Sequence, residues 1–313
     1  MTMAMGAIAV RFGLYVALML SFGLASFGLY ALRGGERQSG AALRFGRLLT
    51  WSAVAAGLLS VLGLGTLAAS MAGVSLLALD RQTVDTVLQG TAVGAAWKVR
   101  GVAILIAAVL PFAGGRYPRL ALIAIVLAAG TAIATLAWTG HGVMNEGAMG
   151  WAHLAADIFH LLAAGIWLGA LAALISLAFH HSARIDQAQL VLLHRVLKDF
   201  SAVGTLIVAA IVLSGMFNSW MLVGLSHLTQ VPSSLYGQLL ILKLALFAAM
   251  VGLAALNRFR LTPALATALV RGDHLRAIGA LRRSLMFETA SALTILGLVA
   301  WLGTLEPPIS ALN

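Results

Sequence analysis

The chain of 313 residues has no cysteine, and only 10% of its residues are charged. Without thiols there is no disulfide framework, and thiolate metal ligation is excluded. An ordinary soluble domain carries roughly 25% charged residues. Here 61% of residues are hydrophobic and the mean hydropathy is +0.98, more apolar surface than a water-soluble fold can hide. No polar block is long enough to build a second core. The expectation is an all-α, polytopic membrane protein with residues 1–313 forming a single transmembrane domain.

Acidic residues are scarce as well, 10 against 20 Lys and Arg, which gives a net charge of +10. A basic chain can signal nucleic acid, but these cations lie in short clusters between apolar runs, with no aromatic-interleaved basic face. No nucleic-acid partner is expected. The clusters read instead as membrane topology and as contacts to the anionic lipid bilayer.

A helix needs about 20 mostly apolar residues to cross the hydrocarbon core. Eight stretches qualify, approximately Ala7 to Leu32, Leu48 to Ala72, Trp97 to Ala113, Leu120 to Trp138, Trp151 to Phe179, Phe200 to Val223, Gly237 to Leu256 and Ser284 to Gly303. The first is too long for a signal-peptide core, and Arg33-Gly34-Gly35-Glu36-Arg37 offers no small-residue cleavage site. Alternate loops hold 15 of the 20 Lys and Arg, including Arg33, Arg116, Arg195 and Arg258. Those loops are expected in the cytoplasm and both termini in the periplasm of a bacterial inner membrane. Between the second and third spans, Leu76 to Leu88 mixes polar and apolar residues and is expected to form a short interfacial helix.

With cysteine absent, soft-metal chemistry must draw on the 11 Met and 8 His residues. Thioether and imidazole donors together suit copper, above all Cu(I). Many of them fall on the outward side: His141, Met144 and Met149 after the fourth span, Met71 at the end of the second, and Met216, Met221 and His227 around the end of the sixth. Each single Met is also an ordinary filler of apolar packing, which is the expectation for Met19, Met250 and Met286.

The fifth span concentrates the chemistry. At about 100° per residue, His153, Asp157, His160 and Trp167 share one helix face. Ionisable groups in a bilayer cost about 2.5–3.5 kcal/mol each near its centre, so this face must meet protein or water. His153 and His160 lie roughly 10.5 Å apart along the axis, two depths of one path rather than one chelate. Hydrogen bonding to neighbouring helices is the plain alternative. Lys243 in the seventh span lies at a depth comparable to Asp157 and could pair with it. Glu288, near the start of the eighth span, is expected to pair with Arg258, Arg282 or Arg283.

Three motifs in order, Thr91-x-x-Gly94-x-x-Trp97-x-x-Arg100, His153-x6-His160-Leu161-Leu162-Ala163-Ala164-Gly165-Ile166-Trp167-Leu168-Gly169, and Lys243-Leu244-Ala245-Leu246-Phe247 running to Asn257-Arg258, resemble the copper resistance protein D (CopD) family of bacterial inner-membrane proteins. The resemblance implies copper homeostasis or transport, passage of copper into or across the membrane, and a periplasmic copper-binding partner of the CopC type. It also implies a placed role for Arg100, paired with Asp85 or Glu146. No catalytic constellation is expected, so the chain is read as a non-enzyme. The alternative from another class is a b-type cytochrome in which His residues ligate haem.

Overall fold

The structure, a computed structural model, describes residues 2–37, 45–113, 118–139, 147–179, 187–223, 231–271 and 275–305. Among the described residues there are helices and no strand. They are α1 (Thr2–Tyr30), α2 (Phe45–Ala72), α3 (Arg81–Gly90), α4 (Ala92–Ala113), α5 (Pro118–Ala134), α6 (Gly147–Phe179), α7 (Gln187–Val223), α8 (Leu235–Leu256), α9 (Thr262–Arg271) and α10 (Leu275–Leu302). Among the described residues eight helical segments are long and apolar enough to cross a membrane, in agreement with the sequence reading.

Several spans run further than hydropathy marks them. α7 begins at Gln187 and α10 at Leu275, because a helix continues beyond the hydrocarbon while only its apolar part registers as a span. α8 continues through five residues of π-helix, Asn257–Leu261, into α9. In that turn the Thr262 N–H bonds to the Asn257 carbonyl, five residues back. The extra residue per turn rotates Asn257 into the bundle, where it is buried.

The short helix expected between the second and third spans is α3, preceded by a 3₁₀ turn at Leu76–Ala78. Asp80 starts it by accepting the Thr83 N–H at 2.7 Å, which satisfies one of the otherwise orphaned donors of the first turn. Its apolar Val87 packs against Leu64 and Ala68 of α2.

α1 lies at the centre, packed on α2, α5, α6 and α10. Between helices in lipid there is no hydrophobic driving force, so close van der Waals contact has to hold them. Gly23 of α1 and Gly165 and Gly169 of α6 supply it. A Cβ on Gly23 would come within 2.8 Å of the Gly169 Cα, and one on Gly169 would overlap the Gly23 backbone. α6, the most buried span, thus presses its backbone against α1, while α7 and α8 leave most of their surface to lipid.

At the face where α1 ends, charged residues tie the connection after α1 to α7. Arg195 holds both Glu36 oxygens, at 2.7 and 2.6 Å, and the Ala31 carbonyl at 3.2 Å. Arg33 meets Asp199 at 3.2 Å. At the opposite face Arg11 donates to the Gly303 carbonyl at 2.8 Å, joining the start of α1 to the end of α10.

Candidate functional site

α7 packs on α6, and α8 packs on α10. Between α7 and α8 remains a cleft whose floor is formed by α6 and α10. Toward the face where α1 begins, this cleft holds a cavity of about 750 Å³ lined by His160, Trp167, Met216, Lys243 and Met250. A narrower cavity of about 170 Å³ adjoins it, where His153, Asp157 and His160 meet Arg11, Asn218 and Lys243. Cavities between bundle helices are a usual place for ligand sites.

The polar stripe of α6 is therefore turned inward as its helical spacing requires. His153 is 1% exposed and Trp167 3%. Asp157 accepts from Asn218 Nδ2 at 3.3 Å. Lys243 lines the same cavity, but no nitrogen–oxygen contact within 4.0 Å joins it to Asp157. The expected pairing is thus an electrostatic one across the shared cavity, and the amide of Asn218 holds the carboxylate directly.

His160 Nδ1 lies 3.0 Å from Ser214 Oγ. The single hydroxyl proton of Ser214 is donated to the Ala210 carbonyl one turn earlier in α7. With the proton so placed Ser214 accepts from the ring, an arrangement that puts the imidazole proton on Nδ1 and leaves Nε2 its lone pair. Gly215 makes room for the ring, since a Cβ there would stand 3.2 Å from His160 Cε1.

The methionines are divided. Met216 lines the larger cavity, and Met19 and Met250, expected as filler, are both buried and in the cavity walls with His160. Nothing in their apolar sequence context distinguished them. Met71 and Met149 are largely exposed at helix ends and Met221 is half-buried near the end of α7. His141, Met144 and His227 lie outside the described residues. Among the described residues no three His, Asp or Glu side chains cluster so as to hold a metal ion.

The motif opening α4 is a scaffold away from these cavities. Thr91 Oγ1 accepts the Gly94 N–H at 3.0 Å, and Gly94 lacks the Cβ that would overlap the Leu88 backbone. Trp97 Nε1 donates to the Ser60 carbonyl at 2.9 Å. Arg100 is buried and donates to Thr135 Oγ1 at 2.8 Å and to the Thr135 carbonyl at 3.1 Å. Its expected partner Asp85 instead faces Arg81 at 3.7 Å, and Glu146 lies outside the described residues. The helix changes to 3₁₀ turns at Thr135–Thr139, and where the ladder changes a carbonyl can accept from outside.

Glu288 also departs from expectation. Asn257 Nδ2 donates to its Oε1, while Arg258 bonds Thr205 and the Ser201 carbonyl. Arg282 donates to the Ala178 carbonyl at 2.8 Å and stacks on Phe179. Asn257, carried on the π-turn, stands against Glu288 where an arginine was expected.

Two family models match the chain: "Copper resistance protein D-like, N-terminal domain" over residues 1–151 and "Copper resistance protein D" over residues 194–302. Copper resistance protein D of Pseudomonas syringae pv. tomato is 45% identical over 304 residues, covering 97% of each chain. Inner membrane protein YebZ of Escherichia coli (strain K12) is 27% identical over 307 residues, 96% of this chain and 98% of that one. Copper transport protein CutJ of Bacillus subtilis (strain 168) is 29% identical over 259 residues, 80% of this chain and 46% of that one. No solved structure matches. Nothing in these relatives supports the haem alternative, and among the described residues no histidine of another helix shares a cavity with His160. With its eight membrane-crossing segments and a relative this similar over nearly its whole length, the chain belongs to the copper resistance protein D family of multi-pass membrane proteins.

Proposed function

We propose that this protein takes copper as its substrate, binds it as Cu(I) through His and Met at the periplasmic side of a bacterial inner membrane, and passes it into or across the bilayer without catalysing a reaction. The observation that carries the reading is the contact between His160 Nδ1 and Ser214 Oγ at the wall of the larger cavity. With Nδ1 occupied by Ser214, Nε2 is the ring nitrogen left to serve as a neutral donor, which is how a second partner prepares a metal-binding imidazole. The thioethers of Met19, Met216 and Met250 line the same cavity, and imidazole with thioether is a soft donor set suited to Cu(I).

The route runs from His141, Met144 and Met149 to His153, then past Asp157 to His160, with Met71, Met221 and His227 as further capture ligands. The clustering of basic residues in alternate loops supports a periplasmic position for both termini and for this entrance. The name of the E. coli relative supports an inner membrane. We read residues 1–313 as one domain because α1 packs against helices of both halves. A periplasmic copper-binding protein of the CopC type is the expected donor or acceptor.

Copper stoichiometry of the purified protein and copper accumulation in cells, at matched expression, test the route. His153→Ala should weaken capture, whereas His160→Ala should leave capture largely intact and block deeper binding or passage. If neither substitution changes binding or accumulation, these histidines only pack helices and the route is wrong.

A further inference from the structure

The cleft between α7 and α8 continues past Trp167 toward the arginine-rich face and opens into another cavity, of about 560 Å³. Trp167 and Val212 stand in the walls of both large cavities. Trp167 is fixed edge-on against Phe200, with ring centroids 6.1 Å apart. The lining changes character across this partition. On one side are Met19, His160, Met216 and Met250. On the other no described residue in the cavity wall is Met or His, and the polar groups are Ser201, Thr205, Asn257, Arg258, Thr262 and Glu288.

Glu288 is 2% exposed and Asn257 7%. Asn257 uses its amide N–H to hold Glu288 Oε1, which leaves its own Oδ1 buried without a hydrogen-bond partner. A buried amide oxygen left unsatisfied beside a carboxylate is costly unless something positive completes the pair. Among the described residues Arg258 is the one other charged group in the cavity wall; α6, α7 and α9 bring none to it. Its guanidinium is exposed, held on Ser201 and Thr205 and placed 5.2 Å over the Phe259 ring.

We propose that Glu288 and Asn257 form a second site, on the far side of Trp167 from His160, that holds a small hard cation, a proton or a sodium ion. Carboxylate and amide oxygens are hard donors and disfavour Cu(I), which prefers the thioethers and imidazole across the partition. The π-turn is the device that builds the site. By carrying one extra residue it aims Asn257 at α10, and such turns are frequent at functional positions.

The test is infrared difference spectroscopy of the full-length protein in lipid vesicles, in sodium-free buffer, as pH is lowered. A carboxylic-acid carbonyl band should appear that Glu288→Gln removes. Sodium chloride at fixed pH should bleach the band if sodium shares the site, and leave it unchanged if protons alone do. Asn257→Asp keeps the shape of the side chain but adds a second acid, which should move the band's titration up by about one pH unit or more. It also reads the site if Glu288→Gln does not fold. A band that Glu288→Gln leaves in place, or one that Asn257→Asp does not move, reduces Glu288 to a structural group. Bleaching by Cu(I) at fixed pH would make the cavity a copper site. Either result overturns the proposal, and neither depends on whether His160 binds copper.

Discussion

Ser214 and His160 form a relay between α7 and α6: Ser214 Oγ stands 3.0 Å from His160 Nδ1 and within hydrogen-bond reach of the Ala210 carbonyl, so that α7 can fix the tautomer of the ring. Removing the hydroxyl frees the ring to place its proton on either nitrogen. Ser214→Ala should therefore weaken Cu(I) affinity about 10-fold or more, the usual scale for losing the group that orients a ligand. Ser214→Thr should restore it. Competition against a Cu(I) chelator measures both, and an unchanged affinity in Ser214→Ala would remove the relay from the copper site.

The α1–α6 contact predicts opposite outcomes for one substitution at two glycines. In a helix interior, Gly→Ala ordinarily stabilises by about 1 kcal/mol. Gly252 has open space around it, so Gly252→Ala should be neutral or slightly stabilising. At Gly23 the new methyl meets the Gly165 and Gly169 backbone, and Gly23→Ala should lose about 1–3 kcal/mol, as overpacked cores do. Thermal unfolding in detergent decides this. Equal stability of the two variants would contradict the contact.

Asp157 offers a choice between two partners. Asn218 touches it at 3.3 Å, whereas Lys243 acts on it electrostatically across the cavity from beyond 4.0 Å. Double-mutant cycles with Asp157→Asn should give a coupling of about 1 kcal/mol or more with Asn218→Ala and a smaller one with Lys243→Met. The reverse order would restore the Asp157–Lys243 pair that depth alone suggested.

Outside the membrane-crossing segments, the Thr83 N–H holds the Asp80 carboxyl below its ordinary range. A depressed folded-state value means that the stability it adds is present above the unfolded value and is lost as pH falls through the folded one. The protection factors of the α3 amides, exchange rates corrected for the intrinsic dependence on pH, should thus fall on acidification through and below the usual carboxylate range. Asp80→Ala should exchange faster at neutral pH and show no such dependence. A pH response that survives Asp80→Ala would place its origin elsewhere.

The eight spans and the inward stripe of His153, Asp157, His160 and Trp167 were legible in the sequence by itself. The thickness of a bilayer demands a run of apolar residues whatever the neighbours are, and the 3.6-residue period fixes which side chains share a face of one helix. The in-order motifs likewise pointed to the family. What only the tertiary structure decided is which helix each polar group meets: Arg100 with Thr135 rather than Asp85, Asp157 with Asn218, Glu288 with Asn257 through a π-turn, and Met19 and Met250 beside His160. Such pairings depend on how each helix is rotated and how deep it sits. In lipid the outward face is as apolar as the packed one, so the pattern of hydrophobic residues that orients a helix in a soluble protein carries little of that information here.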